Sequence, residues 1–143
     1  MDTCIFCEIV ARRAPASIVA EDDWCLAFLD IRPVTRGHTL VIPKTHAALL
    51  SALEPALGGR MFQMAQRIAQ ALRTLAQQDQ GFSCEAVNLM LADGAAAGQE
   101  VGHVHLHILP RYRGDGFGFH FGRKAAPGRS DLDDLASELR AAI

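Results

Sequence analysis

The chain has 143 residues, half of them hydrophobic, with 14 Lys+Arg against 16 Asp+Glu and a net charge of −2. That length suits one domain, and the apolar share excludes a disordered chain. The lack of a basic excess argues against a nucleic-acid or membrane-surface binder.

In chain order, Cys4 to Val10 reads as a short helical turn. Ile18–Ala20 and Trp24–Leu29 read as strands, with the charged triplet Glu21-Asp22-Asp23 as their turn. Pro33 and Gly37 mark a loop, and Thr39–Ile42 a strand closed by Pro43. Leu57, Met61, Met64, Ile68, Leu72 and Leu75 recur at helical spacing and predict a long amphipathic helix. Ala86–Leu91 and Val101–Leu109 read as two further strands, the second stopped by Pro110. A glycine-rich loop at 114–118 leads to a last helix, with Ser130 as N-cap and Leu132, Leu135 and Leu139 as its apolar stripe. Short strands with local turns and one long helix predict an α+β domain with a mostly antiparallel five-stranded sheet. We expect a single domain over 1–143, its core at about 4–112 and a tail and helix at 113–143.

No apolar run reaches the roughly 20 residues of a membrane helix. Met1-Asp2-Thr3-Cys4 has neither the basic nor the apolar segment of a signal peptide. The expectation is a cytoplasmic protein, whose four cysteines stay reduced. Cys25 and Cys84 stand alone and read as small core residues.

Three of the six histidines fall within seven residues, His103-Val104-His105-Leu106-His107-Ile108-Leu109. On a strand, side chains alternate faces. The three imidazoles then share one face, their Cα atoms about 6–7 Å apart in steps of two, while Val104, Leu106 and Ile108 take the other. Such a face suits metal ligation or nucleophilic and acid–base chemistry, and the pattern alone does not choose. Gly98-Gln99-Glu100 leads into this stretch. Gly98 permits a turn whose N–H groups approach an anion, and the Gln99 amide can donate to a phosphoryl oxygen. His38 opens an earlier strand. Phe28, Asp30 and Ile31 offer apolar walls for a base and a carboxylate for ribose hydroxyls.

These motifs together resemble the histidine triad (HIT) family of nucleotide hydrolases and transferases, on its bacterial Hint-like branch. The resemblance rests on Cys4-Ile5-Phe6-Cys7, Leu26–Ile31, Gly37–Lys44, Gly98-Gln99 and His103–Leu109. It implies a HIT-like fold, a homodimer with a continuous sheet, and attack on the α-phosphate of a purine nucleotide conjugate. The implied substrate is a nucleoside phosphoramidate; the alternatives are dinucleoside polyphosphate hydrolysis, or a zinc-stabilised nucleotide-binding module with little catalysis. By resemblance His105 is the nucleophile, His107 and His38 orient it and stabilise phosphate, and Gln99 contacts the leaving-group side. Asp30 binds ribose, with Phe6, Ile9, Phe28 and Ile31 around the base and Gly98 and Glu100 beside the nucleotide. No divalent cation is expected in the chemistry. Ala92 stands where the family usually has asparagine, and Glu100 where animal members have serine.

The Cys4-x-x-Cys7 pair allows three readings: zinc, a metal-free reduced pair, or redox chemistry. The redox reading wants a βαβ context that the sequence lacks. Two cysteines make half a tetrahedral site, which His46 and His103 would complete, as in some members of the resembled superfamily. Zinc so held is structural, leaving the chemistry to His105.

Overall fold

We analysed a computed structural model, which describes residues 3–119 and 126–143. The order is α1 (Ile5–Val10), β1 (Ile18–Glu21), β2 (Cys25–Leu29), β3 (Thr39–Pro43), α2 (Pro55–Gln78), β4 (Ala86–Met90), β5 (Leu106–Arg111) and α3 (Arg129–Ala142). The strands form one antiparallel sheet in the order β1-β2-β3-β5-β4.

Local chemistry explains the joints. Asp22 Oδ1 accepts the N–H groups of Trp24 and Cys25, which turns β1 into β2. Pro55 starts α2, where its missing N–H costs nothing. Gly37 has φ +94° and lies so close to Phe82 that a Cβ there would sit 2.8 Å from Cζ of that ring. Only glycine fits such a turn beside such a neighbour.

β2 and β3 are buried almost throughout, so each strand feeds two cores. Cys25, Ala27 and Val41 point to the face covered by α2, where Met61, Met64, Ala65, Ile68 and Leu72 meet them. Leu26, Phe28, Leu40 and Ile42 point to the opposite face, where Phe6 and Ile9 of α1 pack. Val104, Leu106 and Ile108 join the α2 face, as the alternation predicts. The histidines between them are therefore delivered to the α1 face.

Some boundaries differ from expectation. The ladder of β5 begins at Leu106 rather than Val101 and runs through Pro110 to Arg111. The stretch 101–105 alternates as a strand would, but its main chain serves other partners: the Val104 N–H goes to the Ala47 carbonyl. Leu57 and Leu75 mark the ends of the α2 stripe and are half-buried and exposed, respectively. Ser130 lies inside the first turn of α3, which Gly128 precedes as the flanking residue. Leu132, Leu135 and Leu139 form the expected stripe yet remain exposed, so α3 buries no apolar face against the described residues of its chain. Of the lone cysteines, Cys25 is fully buried and Cys84 half-buried. No described helix is long and apolar enough to cross a membrane.

Candidate functional site

On the α1 face lies a cleft of about 700 Å³. His38, His105 and His107 line it together with Phe6, Ile9, Phe28, Asp30, Ile31, Gly98 and Glu100, so nearly every residue singled out for catalysis or nucleotide binding meets there. Phe28 and Phe6 stand edge to face, and the Phe6 ring also meets that of His105 at 5.3 Å. Ile31 lies on the rim, 92% exposed.

Gln99 is the exception. Its Nε2 donates to the carbonyls of Ala48 and Val101, and its Oε1 accepts the N–H of Gly94. The amide is spent on folding its own turn, with Gly94 and Gly98 both at positive φ. Gln99 thus does not line the cleft, while its neighbours Gly98 and Glu100 do. Ala92 is buried away from it, and Asn88 accepts from Arg111 Nη1 at 2.7 Å. Sequence reasoning missed Arg32, Val34 and Met90, which also line the cleft. Arg32, an arginine directly after Asp30-Ile31, carried a signal that could have been read; Val34 and Met90 carried none.

The proton positions follow from main-chain partners. Val34 N–H donates to His38 Nδ1 at 3.1 Å, so a neutral His38 carries its proton on Nε2. That Nε2 lies 2.9 Å from His107 Nδ1 and donates to it. His107 in turn carries its proton on Nε2. His105 Nδ1 donates to the His103 carbonyl at 2.7 Å, which leaves its Nε2 lone pair free. Burial lowers the pKa of His38, against the pull of Asp30, whose Oδ2 is 3.6 Å away. Burial, reinforced by the neighbouring imidazoles, lowers His107 to about 4. Both rings are neutral at neutral pH.

A second constellation lies behind the first. Cys4 Sγ, Cys7 Sγ, His46 Nδ1 and His103 Nδ1 all lie within 4.8 Å of one another. The shortest separations are 3.2 Å between the two nitrogens, and 3.4 Å from Cys4 to His103 and from Cys7 to His46. A zinc tetrahedron with ordinary Zn–S and Zn–N bonds has edges of about 3.3–3.8 Å. His103 Nε2 donates to the Pro43 carbonyl at 2.9 Å, which fixes the tautomer with Nδ1 bare. The donor set therefore fits a metal.

Asp30, His38 and His107 also bring three potential ligand atoms together, and here the same test fails. The Val34 N–H occupies His38 Nδ1, so Nε2 must carry the proton and has no lone pair to offer. This group is a hydrogen-bond relay.

The fold and the site thus define an α+β domain with an imidazole-lined cleft and a Cys2His2 cluster behind it. A HIT domain family model matches residues 11–114. Protein hit of Bacillus subtilis (strain 168) is 45% identical over 140 residues, covering 96% of this chain and 92% of that protein. A crystal structure of a HIT family member from Bacillus subtilis superposes with a TM-score of 0.88 at 39% identity, covering 99% of this chain and 98% of that one. A Zn-bound histidine triad family protein from Mycobacterium smegmatis superposes with a TM-score of 0.75 at 40% identity, covering 99% and 98%. Adenylylsulfatase HINT3 of Arabidopsis thaliana is 37% identical over 112 residues, which are 78% of this chain and 54% of that protein. The chain belongs to the HIT family.

Proposed function

We propose that the protein is a hydrolase or nucleotidyl transferase acting at the α-phosphate of a nucleotide conjugate, with a purine nucleoside phosphoramidate as substrate. One observation carries the reading: in the wall of a nucleotide-sized cleft, His105 is held by the His103 carbonyl in the tautomer that leaves Nε2 a nucleophile. Membership of a family that includes an adenylylsulfatase supports it.

The base lies among Phe6, Ile9, Phe28 and Ile31, and Asp30 takes the ribose hydroxyls. His105 Nε2 attacks the α-phosphorus as the bond to the leaving group breaks, giving a nucleotidyl-His105 intermediate. The electron pair goes to the leaving nitrogen, which takes a proton from solvent water and departs as the amine. Water then displaces His105 and releases the nucleoside monophosphate. The Nε2–H of His107, held outward by the relay from Val34 through His38, donates to a phosphoryl oxygen. Gln99 acts as a positioning residue, keeping the turn that presents Gly98 and Glu100. Cys4, Cys7, His46 and His103 would hold zinc, whose role is to fix His103 and with it the carbonyl that orients His105. The Zn-bound relative from Mycobacterium smegmatis supports this assignment.

The test is rapid mixing with a nucleoside phosphoramidate. We expect a burst of released amine and a nucleotidyl adduct on His105 by mass spectrometry. His105→Ala should fold, because residue 105 faces the cleft rather than the α2 core, and should still bind nucleoside monophosphate while losing at least 10³-fold in kcat. Full activity in that variant would sink the mechanism.

A further inference from the structure

A cleft that accepts a nucleotide must accept its negative charge, and this one has little to meet it. Among the described residues, Arg32 is the only lysine or arginine lining the cleft, against the carboxylates of Asp30 and Glu100. His38 and His107 are held neutral by burial and supply hydrogen bonds rather than charge.

The one cation is already engaged. Arg32 Nη2 lies 3.0 Å from Glu100 Oε2, in a contact between segments 68 positions apart. Both anchoring segments are fixed at the main chain. Arg32 N–H donates to Asp30 Oδ1, and the turn before Glu100 is tied down through Gln99. The side-chain ends are not fixed: they are 80% and 76% exposed. An ion pair that open to solvent is screened and contributes little, so a better anion displaces it easily.

We propose that Arg32 is the residue that neutralises the nucleotide's phosphate, and that Glu100 is its resident counter-ion, displaced when the phosphate binds. The proposal rests on the nucleotide reading above and adds a residue and an exchange to it. Free, the two side chains pair with each other at the cleft lining. Bound, the guanidinium turns to the phosphate, a harder and more highly charged partner than a carboxylate, which it meets through a planar fork. Glu100 swings out to water. Ligands are then selected by phosphate charge: a nucleoside monophosphate dianion competes for Arg32 better than a singly charged diester, and an uncharged nucleoside does not compete at all.

The experiment is calorimetric titration of the full chain with adenosine 5′-monophosphate and with adenosine, at low and raised NaCl, for the wild type, Glu100→Gln, Arg32→Gln and the double variant. Both side chains lie at the surface, so folding should survive, checked by thermal melting. Glu100→Gln should tighten the monophosphate by about two- to fivefold, the range an exposed ion pair supports, and leave adenosine unchanged. Arg32→Gln should weaken the monophosphate tenfold or more, as loss of a charge-assisted contact does, and flatten its salt dependence. In the Arg32→Gln background the gain from Glu100→Gln should shrink by at least half. Strictly additive effects, equal gains for adenosine, or an unchanged affinity in Arg32→Gln would overturn the exchange while leaving the nucleotide reading in place. A wild type that binds neither compound would overturn both.

Discussion

His107 sits between two other imidazoles and is pushed down from the ordinary histidine value of 6.5 to about 4, chiefly by burial. An unfolded chain binds a proton there near pH 6.5. The folded state resists it until about pH 4. The stabilisation is therefore complete above pH 6.5 and is lost as the pH falls from 6.5 towards 4, on the order of 3 kcal/mol from this group. His38 shifts in the same direction and adds to the effect. Urea melts at pH 7 and pH 5 should show the midpoint falling on acidification, and His107→Gln should flatten that dependence. A midpoint independent of pH across this window would contradict the assignment. On the proposed mechanism activity should fall on acidification as well, because a protonated relay would repel the positive charge that forms on the His105 ring.

At the scale of elements, the start of α1, the segment after β3 and the stretch before β5 meet through Cys4, Cys7, His46 and His103. We expect purified protein to hold one zinc per chain in this cluster. Cys4→Ser with Cys7→Ser should lose the metal and lower the melting temperature by 10 °C or more, as the loss of a structural site does. Catalysis should remain detectable in the cold, since neither cysteine lines the cleft. A zinc-free double variant that is folded yet wholly inactive would move the metal into the chemistry. The same elements show how much the sequence disclosed. Alternation alone delivered His105 and His107 to one face and Val104, Leu106 and Ile108 to the other. It did not disclose that the main chain at 101–105 leaves the sheet, because side-chain pattern reports facing and not pairing. Residue type made Gln99 a phosphate donor on paper. Its real partners, Ala48 O and Val101 O, belong to a turn whose geometry no spacing rule encodes. Arg32 and Glu100 meet across 68 positions, a contact that only the folded chain brings about.

For the molecule as a whole, the sheet ends at β1 and β4. An uncovered strand offers unpaired N–H and C=O groups to another chain. Leu132, Leu135 and Leu139 of α3 add an apolar stripe that the described residues do not cover. We expect a homodimer, and light scattering at micromolar concentration should report twice the 15.5 kDa chain mass. A monomer at that concentration would refute this.

The N–H of Val34 is a single peptide hydrogen, yet it decides which way protons run along His38 and His107. Polarity of this kind is written in the backbone, so exchanging the valine side chain cannot reverse it. Eighteen of the alternatives at position 34 leave that hydrogen where it is; proline alone erases it. In Val34→Pro, His38 is free to carry its proton on Nδ1 and to present a bare Nε2 to its neighbour. Nitrogen-detected NMR should then find His38 as a mixture of tautomers where the natural chain shows one. The direction of the whole wire would be released by removing one hydrogen.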